Sequence, residues 1–122
     1  MDLRLKRVYE PATAADGYRV LIDRLWPRGL SKQRARLDAW ERELAPSDEL
    51  RRWFGHEPQR FAEFRRRYLD ELRGQRPRLT ELRGRARREP VTLVYAAHDD
   101  EHNDAVVLAE ALRRGLPRSA AK

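Results

Sequence analysis

The sequence predicts one small α/β domain with a mainly parallel sheet and helices packed on it, and three observations lead there. Two strand-length apolar runs, Val20-Leu21-Ile22 and Val91–Ala97, have the unbroken character of strands buried on both faces. Between and after them lie stretches with apolar residues at helical spacing, so strands and helices alternate along the chain. The length, 122 residues, suits one hydrophobic core and not two. The domain is expected to span 1–116, with a frayed tail over 117–122.

Leu3–Tyr9 alternates loosely through Leu3, Leu5 and Val8 and reads as a first strand. Glu10–Gly17 contains Pro11, Asp16 and Gly17 and reads as a loop. Tyr18–Leu25 is the second strand, stopped by Pro27 and turned at Gly29. Ser31 is placed to cap a short helical turn over Lys32–Arg36. Leu37, Trp40 and Leu44 fit a helical stripe or a short strand equally well. Ser47 or Asp48 caps a helix carrying Leu50, Trp53 and Phe54, which Gly55 ends. Pro58 opens a helix with Phe61, Phe64, Tyr68 and Leu72 on one face, ended by Gly74. Pro77 opens another with Leu79, Leu82 and Ala86. After the strand Val91–Ala97 and a polar turn, His98–Asn103, the last helix runs from Asp104 to Arg114 and closes at Gly115 and Pro117.

Composition narrows the function classes. No cysteine is present, which excludes disulfides, thiolate metal sites and cysteine nucleophiles. No apolar run is long enough for a membrane-spanning helix, and Met1–Lys6 lacks an apolar signal core, so the cytoplasm is the expected location. The net charge is +7, and only Lys6, Lys32 and Lys122 among the 27 basic residues are not arginine. Arginine forks onto carboxylates and phosphates, so anionic ligands or nucleic acid come into view. Gln59–Glu89 holds eleven arginines and five acids. The charges are interleaved around the helices, so ion-paired solvated faces are the plainer reading than a phosphate-tracking surface.

Three stretches gather polar chemistry. Tyr95–Asn103 leads from a strand through a polar turn into a helix, the place where open α/β sheets hold ligands. Its carboxylates, Asp99, Asp100, Glu101 and Asp104, read as caps and dipole partners. His98 and His102 stand four apart, as a metal pair on one helix face would. Zinc needs a third protein ligand, and no metal site is assigned. Asp23–Gly29 places Asp23, Arg24 and Arg28 beside Trp26 at the other strand end. A buried Asp–Arg pair among these would hold loops together; alternatively Arg24 or Arg28 could fork a phosphate or carboxylate. Arg52–His56 ends on His56, whose ordinary pKa, about 6.5, suits proton transfer near neutrality. Trp26 and Trp53 read as wall or core.

The run Asp23-Arg24-Leu25-Trp26-Pro27-Arg28-Gly29, with Leu44–Ser47, Leu50–His56 and Val91–Asn103, resembles the YeaO-like family, domain of unknown function 488. The likeness runs from Leu5 to about Leu112. It implies a compact bacterial cytoplasmic α/β domain and carries over no reaction. The family usually has Lys or Arg where this chain has His98, while His102-Asn103 matches. That departure counts against a family-wide metal pair and leaves Arg24, Arg28, His56, His102 and Asn103 as the site candidates.

Three functional readings follow. The first is a site for a small anionic ligand, binding or enzymatic, with Arg24 and Arg28 as clamps, His56 or His102 as proton donor or acceptor, and Asn103 as orienting amide. The second is a nucleic-acid-associated or regulatory module using the Arg-rich helices. The third is a structural or protein-interaction domain whose motifs only lock loops together.

Overall fold

The computed structural model describes residues 1–117; all but Pro117 of the expected frayed tail lies outside the described residues. Four strands form one sheet: β1 (Leu3–Arg7), β2 (Tyr18–Leu21), β3 (Ala39–Trp40) and β4 (Val91–Tyr95). The order is β1-β4-β2-β3 and every pairing is parallel, as the alternation of strands and helices predicts. The helices are α1 (Lys32–Ala35), α2 (Asp48–Phe54), α3 (Phe61–Leu72), α4 (Arg76–Ala86) and α5 (Asp104–Arg114). Ser47 caps α2 by accepting from the Leu50 N–H at 3.1 Å, and Ser31 caps α1 through the Arg34 N–H at 3.1 Å.

The two sheet faces are covered unequally. Leu3, Val20, Ile22, Val91, Leu93 and Tyr95 point into the main core with α2, α3, α4 and α5, where Phe54 stacks on Phe64 and Tyr68 packs tilted against Phe64. On the opposite face Val8 and Val94 meet Leu30, Ala35 and the half-buried Trp26 and Leu37, a thinner cover built from α1 and its flanking loops. β4 is buried at all five positions because it is an interior strand between β1 and β2.

The segment with two readings, Leu37–Leu44, becomes the two-residue edge strand β3 followed by a 3-10 turn at Arg42–Leu44. The second strand ends at Leu21, earlier than its apolar run predicts. The Ile22 N–H still reaches the Val94 carbonyl at 3.2 Å, but beyond it the Asp23 side chain takes over and accepts the Ala96 N–H at 2.9 Å. A carboxylate thus replaces the next ladder bond, β2 and β4 part, and a space opens between their ends. At the other end of β2, Gly17 has φ +64°, and a Cβ there would lie 2.3 Å from the Pro90 carbonyl oxygen. Only glycine lets the chain enter β2 against that backbone.

Candidate functional site

A pocket of about 830 Å³ lies where β2 and β4 diverge. Its position at the carboxyl ends of two adjacent parallel strands is the usual ligand position in open α/β sheets. Trp26, Pro27, Pro46, Phe54 and Phe64 supply apolar wall. Arg24, Arg28, Arg51, His56 and His98 bring basic groups to it, and Asp23, Asp99 and Asp104 supply acid.

Of the candidates read from sequence, the fold brings Arg24, Arg28, His56 and Asn103 to this pocket and leaves His102 outside its lining. Arg24 donates to the Pro46 carbonyl at 3.1 Å and to the Ala45 carbonyl at 3.4 Å, tying the loop after β2 to the turn before α2. Arg28 is exposed, and its backbone carbonyl accepts from the Tyr9 hydroxyl at 2.7 Å. His56 follows Gly55 in a second consecutive left-handed conformation, φ +59°, which turns the chain back after α2 and sets the ring against Phe54. A non-glycine residue held there is strained, and such strain clusters at functional sites. Asn103 is buried and fully used. It caps α5 through the Val106 N–H at 3.0 Å and donates to the Asp99 carbonyl at 2.8 Å.

His102 packs edge-on to Phe61, and its Nδ1 lies 2.9 Å from Asp99. Asp99 also accepts the backbone N–H groups of Glu101 and His102, which holds its carboxyl below the ordinary range. The turn before α5 is therefore self-fastened, and His98 is used separately, 3.4 Å from Arg7. Among the described residues no group of three or more His, Asp or Glu side chains is arranged around a metal position.

Among the described residues Asp23 forms no ion pair with Arg24 or Arg28. Arg24 is drawn to backbone carbonyls, and Asp23 turns to the Ala96 N–H and to Asp104. Sequence reasoning missed Asp104, which reads as an ordinary acid in the first turn of a helix. Burial, the charge of Asp23 and the hydrogen bond with it push the Asp104 carboxyl well above its ordinary value. Burial also raises Asp23, against the lowering effects of Asp104, the Ala96 N–H and the charge of His56. Among the described residues neither acid has a Lys or Arg ion-pair partner. Each carboxyl makes ionisation of the other more costly. The only sequence hint is that Asp23 directly closes a buried apolar run.

Trp26 is pocket wall, with its indole N–H on the Leu30 carbonyl at 2.6 Å, whereas Trp53 lies outside the lining under Arg67 and Arg60. Along Gln59–Glu89, six of the eleven arginines pair with carboxylates: Arg65 with Glu110, Arg66 and Arg67 with Glu63, Arg73 with Asp70, Arg78 with Glu41 and Arg85 with Glu89. This is the interleaved, ion-paired surface that the charge pattern predicts.

The model of a family described as the inactive DUF488-N3 subclade matches residues 2–122. The chain is 46% identical over 113 residues to the uncharacterized protein YeaO of Escherichia coli (strain K12), covering 93% of this chain and 98% of that protein. It is 44% identical over 110 residues to an uncharacterized protein of Mycobacterium tuberculosis (strain ATCC 25618 / H37Rv), covering 90% of this chain and 92% of that one. No solved structure matches it.

Proposed function

The chain belongs to the inactive DUF488-N3 subclade, and from that premise we propose that it binds a small anionic molecule in the strand-end pocket without converting it. The observation that carries this reading is the pocket's composition: largely apolar walls with three arginines and two histidines brought to them from separate loops and helices. The volume, about 830 Å³, is that of a drug-sized ligand site. Arg28 is exposed at the pocket and forks the anion. Arg51 lines it too and reaches only Asp48, at 3.4 Å, while its Nε is buried without a partner. Arg24 is held by carbonyls and keeps the loop in place. His56 donates to or accepts from the ligand, and Asn103 and His102 fasten the turn that carries the pocket's far wall. The subclade's description favours binding over turnover, and the ion-paired state of the Arg-rich helices favours the pocket over a nucleic-acid surface.

Thermal shift and titration calorimetry with inorganic pyrophosphate, citrate and the nucleoside 5′-monophosphates test this. At least one probe is expected to give a saturable rise in melting temperature and to be recovered unchanged. Arg28→Ala and Arg51→Ala should each weaken it by about tenfold. If no probe binds at millimolar concentration, or if both variants bind undiminished, the reading is wrong.

A further inference from the structure

Resting on the pocket reading above, we infer that the ligand is an aromatic carboxylic acid, its single carboxylate held at the pocket mouth by Arg28, Arg51 and His56 and its flat apolar body lying inward. The inner polar groups are already committed to the protein. Arg24 is spent on the Pro46 and Ala45 carbonyls, and Asn103 on the Val106 N–H and the Asp99 carbonyl. Asp23 accepts the Ala96 N–H and bonds to Asp104, which also accepts its own N–H and that of Ala105. An anionic oxygen carried inward therefore meets acceptor oxygens and spent donors, and loses its hydration without return. What the inner wall leaves to a ligand is carbon, from the buried Pro27, Pro46, Phe54 and Phe64.

The mouth is built differently. Arg28 and His56 are exposed, and neither forms an ion pair among the described residues. The Arg51 side chain is 41% exposed and has only a 3.4 Å contact with Asp48, its Nε being without a partner. Apart from Met1, the large hydrophobic residues left exposed among the described residues are Tyr9 and Leu25, and both line this pocket. Open apolar surface beside unpaired cations is covered by a molecule that joins one anionic group to an apolar body. A polyanion such as citrate engages the cations but leaves the inner wall empty. Tyr9, Trp26, Phe54 and Phe64 bring four rings to the lining, which favours a flat aromatic body over an alkyl chain of the same area.

The test is calorimetric titration of the full chain with indole-3-acetate, indole-3-acetamide, octanoate and citrate, repeated on Arg28→Ala and Leu25→Asn after melting curves confirm that each variant folds. Both positions are exposed, so neither substitution empties the core. Indole-3-acetate should bind best, at least about tenfold more tightly than citrate. Indole-3-acetamide, of the same shape without the charge, should bind at least about tenfold more weakly than the acid. Leu25→Asn should weaken indole-3-acetate by about fivefold and leave citrate unchanged, whereas Arg28→Ala weakens both. Arg28-dependent binding of citrate or octanoate as tight as that of indole-3-acetate overturns the aromatic-acid assignment and leaves the anion pocket standing. Undiminished binding of indole-3-acetate by Leu25→Asn overturns the assignment too. Equal binding of acid and acetamide removes both readings, since charge then plays no part, and so does binding of none of the probes.

Discussion

Strand β2 has an aspartate just before it and another just after it, and the two are treated in opposite ways. Asp16 accepts from Lys6 at 3.1 and 3.2 Å, from Arg19 at 2.7 Å, and from the N–H and hydroxyl of Thr13 at 3.1 and 3.0 Å. Burial alone would raise its pKa, but these donors outweigh it and hold the carboxyl at about 2. Asp23 receives one backbone N–H and then faces another carboxyl, and its pKa moves up. Three arginines reach the pocket at the second end, yet among the described residues none of them pairs with Asp23 or Asp104. A closed ion network is what a structural carboxylate looks like. A partly buried acid pair without a Lys or Arg ion-pair partner, beside a cavity, is what a candidate functional site looks like. The difference separates the end of β2 that holds the fold from the end that opens on the pocket.

The largest effect expected from this contrast is at the closed end. Asp16→Asn strips the counter-charge from Arg19, which is only 3% exposed and also holds the Ala35 and Arg36 carbonyls. Removing one member of a buried pair costs about 3–5 kcal/mol, which urea denaturation would read as a lower midpoint at unchanged slope. A loss under about 1 kcal/mol would place the network among ordinary surface pairs and dissolve the contrast.

A smaller effect is carried by pH. The folded-state pKa of Asp16 is depressed from 3.8 to about 2. Its contribution is therefore fully present above the unfolded value and disappears as pH falls from about 4 to about 2. The shift corresponds to roughly 2 kcal/mol at neutral pH. Glu63 is also held at about 2, by Arg66 and Arg67, so the total acid limb does not belong to Asp16 alone. The difference between the parent and Asp16→Asn isolates it: the gap between the two stabilities should narrow by roughly 2 kcal/mol as pH falls from about 4 to about 2. Parallel acid limbs would mean that Asp16 is not the titrating group.

Much of this contrast was hidden in the sequence. The elements were legible where local chemistry dictates them: Ser47 and Gly55 bracket α2, Asn103 caps α5, and the run from Val91 reads as a buried strand. The location of the pocket was legible for the same reason, because it is a property of where strands end. Partnerships were not. Asp23 and Arg24 are neighbours in sequence and look like a pair, yet parallel pairing brings Ala96 and the start of α5 to Asp23 and sends Arg24 to the Ala45 and Pro46 carbonyls. His102 looked equivalent to His56 as a proton carrier. A cap at Asn103 and a bond to Asp99 instead turn it toward Phe61. The early end of β2 was invisible because a side chain substitutes there for a backbone partner, which periodicity cannot register.

The smallest effect has the opposite sign and probes the open end. A carboxyl whose folded pKa is raised binds its proton more tightly in the native state. Its stability contribution therefore falls as pH climbs from the unfolded value, 3.8, through the folded one. Asp104→Asn keeps a hydrogen-bond donor toward Asp23 and removes the group that must ionise. The variant should match the parent near pH 4 and exceed it by about 1 kcal/mol at pH 8, the order of gain seen when a strained functional group is relieved. Thermal melts of both proteins across that range would show the curves diverging as pH rises. If Asp104→Asn is instead less stable at every pH, the acid pair belongs with Asp16 as scaffold, and the open end of β2 is no different from the closed one.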